Sequence, residues 1–394
     1  MGRIIIITGK GGVGKTSVAA AHALRSAMEG KRTLLVSTDM AHNLGDIFET
    51  QVGNKLTYVE DKLALLELDP DQILAKDYPK ARSAFGTLLS GVGLPKSELG
   101  ENDTLPGLEN LFSLLKIRDY YNGGEFDRII VDCAPTGETL SILQLPELLA
   151  WYMEKFFPVG KVMTRVLSPA AKHFYQVQMP SRESMNEIEH FHKEALQLEG
   201  LLKNPEVTSV RIVCIPEKMV VEETKRSYMY LHLYRYQVDG VFINRILPAE
   251  TGSPFMDHWH QIQQQYLTEL DHLFPHVPVT KIPWFQEEIR GEKAVKSLVD
   301  GYLNQDDLLD VRVTEDNEEY TRIEGGYRLM LRVPGATEDK VKVTVRAREI
   351  DIRLGGYLRN IPLPNVLCGA KINQTFLKDG VLNIDFEGKE DSLE

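Results

Sequence analysis

Positive charge is in short supply in this chain of 394 residues: 45 lysines and arginines stand against 57 aspartates and glutamates, a net charge of -12 with histidines neutral. That balance argues against broad binding to nucleic acid, because no surplus of cations exists to displace the counterions of a phosphate backbone. It leaves room for a soluble enzyme, or for a protein that meets basic or apolar partners. Cysteine is scarcer still. Cys133, Cys214 and Cys368 are far apart and odd in number, so free thiols in a reducing compartment are expected rather than a disulfide framework. No apolar run approaches the roughly 18 residues needed to span a bilayer, and the first apolar run enters a glycine-rich loop with no cleavable signal before it. The chain is therefore not expected to be transmembrane, and a cytoplasmic location is expected. Internal repeats and low-complexity tracts are also absent.

What is present is an alternation of apolar and helical stretches. Runs at 3–8 (RIIIIT), 33–38, 63–68, 128–133, 210–215, 238–244 and 277–283 are mostly continuous in Val, Ile and Leu, the pattern of strands covered on both faces. Helical stretches lie between them, at 15–29 (with Gly30 as a stop), 219–236 and 255–273. Strand and helix in alternation predict an α/β fold, a doubly wound and mainly parallel sheet. Two long helical inserts interrupt it, at 71–110 and 148–205. At 304–319 the stretch NQDDLLDVRVTEDNEE carries seven acids against one arginine and reads as a solvated linker or edge. Beyond it, YRLMLRVPG, VKVTVRAREIDIRL and GVLNIDFE alternate with period two, which predicts a small antiparallel β-sandwich without helices. The expected organisation is an α/β domain over 1–305, an acidic linker over 306–319 and an all-β domain over 320–390.

The chemistry sits first in GKGGVGKT. Gly9, Lys10, Gly11, Gly12, Val13, Gly14, Lys15 and Thr16, followed by Ser17, fit the phosphate-binding pattern G-x-x-x-x-G-K-[ST] between a strand and a helix. Backbone N–H groups of such a loop cradle phosphate oxygens, Lys15 neutralises the β/γ charge, and Thr16 offers its hydroxyl to Mg²⁺. The competing reading is a plain glycine-rich turn. Asp132 ends the apolar run RIIVDC, as a second carboxylate near the metal would, although strand-end aspartates also start turns. Gly137 follows in a run able to close on a γ-phosphate. Lys10 is a second cation in a loop that needs only one.

Four segments in one order, GKGGVGKT (9–16), STDMAHNLGDIF (37–48), DCAPTGETLSILQLPE (132–147) and INRILP (243–248), resemble the arsenite-pump ATPases and the guided-entry ATPases that target tail-anchored membrane proteins. Both belong to the deviant-Walker-A class of P-loop proteins, and the resemblance covers about residues 1–305. It implies ATP and Mg²⁺ as ligands and a role for each matching residue. Lys10 matches the lysine that reaches into the partner's site across a dimer. Asp46 matches the aspartate that orients the attacking water, Asp39 lies near the metal, and 132–138 match the second switch. Asn244 matches the reader of the adenine edge, and Pro283 lies in the loop packing on the base. Catalysis is thus expected from Lys10, Lys15 and Asp46, with the metal at Thr16, Asp39 and Asp132, partly through water. Met40, Gly45 and Glu138 depart from the family pattern, which puts rate and switch coupling in question.

Arsenite-pump enzymes are expected to carry grouped cysteines and two ATPase halves; this chain has scattered cysteines and one P-loop, so a two-site sandwich requires a homodimer. The zinc-binding C-x-x-C that often pins guided-entry dimers is absent. The insert 148–205 stands where targeting factors form an apolar client groove, and Met153, Phe156, Phe157, Val162, Met163, Val166 and Leu167 are candidates to line it. They are equally readable as core of a helical subdomain. Residues 327–386 resemble, more weakly, the α-crystallin domain of small heat-shock proteins, with Gly380-Val381-Leu382 matching its G-V-L segment. Client holding, dimer support and passive packing on the ATPase are the alternatives there. The leading expectation is a homodimeric ATPase coupling hydrolysis to a hydrophobic client of the membrane-targeting or chaperone type. The motor of an arsenite or anion pump, and a low-turnover regulatory switch, are the alternatives.

Overall fold

Ile4, Ile5, Ile6 and Ile7 are wholly buried and form the middle of the first strand, β1 (Arg3–Thr8). The structure, a computed structural model, describes residues 2–39, 44–78, 108–134, 182–249, 253–314 and 316–387. The chain divides into two units, one spanning Met1–Thr8, Lys15–Thr208 and Ile289–Leu303, the other Gly9–Gly14, Ser209–Glu288 and Asn304–Glu394.

In the first unit the strands run in the order β3 (Thr57–Glu60), β4 (Leu63–Glu67), β2 (Thr33–Ser37), β5 (Arg128–Asp132), β1. All pairings are parallel except β3 with β4. Continuous apolar sequence is explained by burial on both faces, with helix α1 (Lys15–Met28) packed against β1, β2 and β5. Around them lie α2 (Leu44–Phe48), α3 (Pro70–Asp77), α4 (Leu108–Gly123), α5 (Arg182–Leu202) and α8 (Glu292–Tyr302), the last packed on α1. Asp69 caps α3 by accepting from the Gln72 N–H at 3.1 Å.

In the second unit β6 (Thr208–Cys214), β7 (Val238–Ile246) and β8 (Val279–Pro283) are parallel neighbours, accompanied by α6 (Lys218–Leu233) and α7 (Pro254–Leu273). Arg211 on β6 and Asp239 on β7 are both fully buried and pair at 3.0 Å. The rest of the unit is an antiparallel sandwich. One sheet has the order β14 (Ile372–Lys378), β15 (Val381–Glu387), β10 (Gly326–Arg332), β9 (Glu318–Ile323). The other is β11 (Val341–Val345), β12 (Glu349–Leu354), β13 (Tyr357–Pro362). Period-two alternation gives its core, with Leu329, Leu331, Ile350, Ile352, Ile384 and Phe386 buried.

The sandwich is fastened to the end of α6. The Tyr230 and Tyr357 rings lie 3.8 Å apart, the Tyr234 hydroxyl donates to the Leu358 carbonyl at 2.9 Å, and Arg359 Nη1 donates to the Leu233 carbonyl at 2.7 Å. One carbonyl of the outer strand β13 is thus taken at the end of α6. The acidic stretch also differs from expectation. Leu308 and Leu309 are buried, and β9 begins at Glu318, inside the expected linker, because Glu318 pairs with Arg359 at 2.6 Å. The short edge strand β3 and helix α8 were not expected from sequence.

Cys133 and Cys214 are buried, Cys368 is half-buried, and all three are free thiols. Among the described residues no helix is long and apolar enough to cross a membrane. Met40, Gly137, Glu138 and the groove candidates Met153, Phe156, Phe157, Val162, Met163, Val166 and Leu167 lie outside the described residues.

Candidate nucleotide site

Two glycines of the loop between β1 and α1, Gly9 and Gly14, leave no room for a side chain. A Cβ on Gly9 would lie 2.1 Å from the Val213 carbonyl oxygen, and one on Gly14 would lie 2.4 Å from Nδ2 of Asn244. Gly14 also has φ +97, in the left-handed region. Gly11 and Gly12 are exposed, and Val13 between the glycines is buried. Asn244 donates from Nδ2 to the Val13 carbonyl at 2.9 Å, and its Oδ1 accepts from the Arg245 N–H at 2.9 Å. Lys10 Nζ lies 3.6 Å from Oε2 of Glu223 on α6, a partner that the sequence did not single out. Pro283 ends β8 half-buried, and the N–H of exposed Trp284 donates to the Ile246 carbonyl at 2.8 Å.

The start of α1 brings a different set together. Lys15 is buried, Thr16 and Ser17 are half-buried, and Asp132 is buried at the end of β5. Burial pushes the Asp132 carboxyl up to about 7, and the nearby Asp39 carboxylate adds to the rise; a hydrogen bond from Thr16 and the charge of Lys15 oppose it. Asp132 Oδ1 is buried with no hydrogen-bond partner. The backbone around it is tied down by the Thr38 N–H, which donates to the Asp132 carbonyl at 3.0 Å, and by the Asp39 N–H, which donates to Ser37 Oγ at 3.2 Å. A buried, unpartnered carboxylate oxygen beside a threonine hydroxyl and a second carboxylate suits a hard divalent cation with oxygen ligands. No group of three or more His, Cys, Asp or Glu among the described residues could hold a metal alone. Such an ion would therefore draw on Thr16, water and phosphate oxygens as well.

Asp46 stands on a separate element. It is exposed on α2 and lines an open cavity of about 840 Å³ with Glu49, Thr50, Asn54, Glu67 and Arg290. Gly45, a departure from the family pattern, has a steric cause: a Cβ there would lie 2.8 Å from the Thr50 carbonyl oxygen.

A phosphate loop opening a helix, with its lysine and threonine beside a buried aspartate on a parallel strand, defines the class of P-loop nucleoside-triphosphate hydrolases. Within that class, the profile of the family described as anion-transporting ATPase matches residues 2–303, and that of an HSP20-like domain found in ArsA matches 324–386. The chain belongs to the ArsA-type anion-transporting ATPase family, and it is an ATPase. A protein of Prosthecochloris vibrioformis provisionally named arsenical pump-driving ATPase is 34% identical over 98% of this chain and 96% of its own length. ATPase GET3 of Komagataella phaffii is 30% identical over 77% of this chain and 91% of its own. The ATPase ASNA1 homolog of Dictyostelium discoideum is 31% identical over 74% and 87% respectively.

Proposed function

We propose that the chain hydrolyses Mg²⁺-ATP as a nucleotide-sandwich homodimer in the cytoplasm and couples closure of the two subunits to capture and release of a hydrophobic client. The observation that carries this reading is the division between its two loop lysines. Lys15 stands by Asp132, while Lys10 pairs with Glu223 on α6. A second loop lysine, beyond the one beside Asp132, supports the reading that Lys10 serves a second subunit.

In this reading the loop N–H groups from Gly9 to Gly14 bind the β-phosphate, with Ser17 beside them at the helix start. Lys15 neutralises the β/γ oxygens. Thr16 and Asp132 would hold Mg²⁺, with Asp39 acting through water, and the ion would supply positive charge to offset that of the phosphates. Asp46, exposed on α2, is brought to the attacking water by closure, which also excludes bulk water and strengthens each contact. Gly137 closes on the γ-phosphate, and Asn244 and Pro283 hold the adenine. The client surface is assigned to Met153, Phe156, Phe157, Met163, Val166 and Leu167 on sequence alone, and nucleic acid is not a partner.

The second reading, an arsenite or anion pump motor, is favoured by the relative named arsenical pump-driving ATPase, which matches over nearly its full length. Against it, burial pushes the Cys214 thiol up to about 12, whereas a soft metalloid seeks two or three thiolates together. The test is ATP turnover in the presence of arsenite or of a detergent-solubilised transmembrane peptide. Peptide binding lost in Phe156→Asp and Met163→Asp supports the client reading. Stimulation by arsenite, with no peptide binding, overturns it in favour of the pump.

A further inference from the structure

The helix carrying Asp46 has five residues, too few to hold itself in place. Leu44 and Ile47 pack it inward, and contacts at both ends fix it further. At its start, Glu67 Oε1 accepts from the Leu44 N–H at 3.0 Å and from the Gly45 N–H at 3.4 Å. At its far end the Gly291 N–H donates to the Ile47 carbonyl at 2.8 Å, and Arg290 Nε lies 3.3 Å from Glu49 Oε1. Of these anchoring side chains only Glu67 is buried; Glu49 and Arg290 are more than half exposed. An exposed ion pair contributes little, whereas a buried carboxylate accepting from the Leu44 N–H at 3.0 Å makes a stronger, directional bond, with the 3.4 Å Gly45 contact secondary to it.

Glu67 is also out of place by sequence pattern. It closes the buried run LALLE of β4, where an apolar residue would continue the strand without cost. One thing a carboxylate does there is hold the start of α2. We propose that Glu67 is the positioning residue for Asp46: it fixes the entry of α2 and so where the Asp46 carboxylate stands when ATP is hydrolysed. This deepens the assignment of Asp46 as the water-orienting group and rests on it.

The test is steady-state ATP hydrolysis and equilibrium nucleotide binding for Glu67→Ala, Glu67→Gln, Glu67→Asp, Asp46→Asn and the double variant Glu67→Ala/Asp46→Asn. Glu67→Ala is expected to lower kcat about ten- to a hundredfold while KM for ATP stays within about threefold. Glu67→Gln keeps an acceptor oxygen and recovers most of the rate. Glu67→Asp keeps the charge but falls short by one methylene, so it gives a folded variant with a severalfold loss should the alanine variant fail to fold. In the Asp46→Asn background Glu67→Ala adds no further loss, since both act through one group. The proposal is overturned if the Glu67 variants keep wild-type kcat while Asp46→Asn is slow, or if the Glu67→Ala factor persists undiminished in the double variant. Wild-type kcat in Asp46→Asn alone overturns instead the assignment of Asp46.

Discussion

Asn244 ties the phosphate loop to β7: its Nδ2 donates to the Val13 carbonyl at 2.9 Å while its Oδ1 accepts from the Arg245 N–H. The residue expected to read the adenine edge is therefore also a brace for the loop. Asn244→Ala is expected to weaken ATP binding about tenfold, from the lost loop bond as well as any base contact. Titration calorimetry with inorganic tripolyphosphate separates the two. If tripolyphosphate binding is unchanged, the brace has no part in phosphate binding.

Asp132 predicts an unusual pH dependence of the nucleotide-free protein. Its carboxyl is raised from 3.8 to about 7 in the fold, chiefly by burial. Between those values the folded state binds more protons than the unfolded chain, so the stability falls as pH rises from about 4 to 7. Asp132→Asn is expected to be more stable than wild type by about 1–3 kcal/mol at pH 8, with the gain gone at pH 4. Urea unfolding at the two pH values checks this; equal effects at both would remove Asp132 as the cause.

His232 has the opposite sign. Burial, helped by the Arg332 charge and opposed by its bond to the Tyr228 carbonyl, lowers the ring from 6.5 to about 4. It lines a cavity of about 380 Å³ that His272, His276, Arg332 and Asp379 share. Unfolded chains take up this proton below pH 6.5 and the fold resists it, so stability is full above that value and is lost as pH falls toward 4. The loss attributable to His232 is about 3 kcal/mol, and His232→Gln should flatten the melting curve over that window. A slope unchanged in the variant would point to another group.

Arg359 tests the seating of the sandwich. It is buried, with one nitrogen on the Leu233 carbonyl and another on Glu318. Arg359→Ala should cost about 2–4 kcal/mol and lower the melting of α6 and sandwich together, since it leaves Glu318 without its nearer cation and the Leu233 carbonyl unpaired. Calorimetry showing the ATPase transition untouched would mean that the sandwich melts on its own.

The phosphate loop, β1 and β5 were legible because their rules are local: unbroken Ile and Val runs, and glycines at fixed offsets from a lysine and a threonine. What could not be read depends on distant partners. β9 hides in an acidic stretch because Glu318 finds Arg359, 41 residues on. Glu67 meets α2 at amides 23 and 22 residues away, and Glu223 meets Lys10 from another element. The short strand β3 alternates between half-buried and exposed positions, too weak a pattern over four residues to separate from a loop.

Whether Lys10 completes the partner's site is measured most directly by mixing two inactive variants. Lys10→Ala and Asp46→Asn subunits, coexpressed with different tags, each bind ATP and each form homodimers expected to hydrolyse it at background rates. In a mixed dimer the site that keeps Asp46 receives Lys10 from the other subunit, so one site of two works. Random pairing then restores about a quarter of wild-type turnover. Background turnover in the purified mixed dimer, with nucleotide bound, would contradict action of Lys10 across the interface.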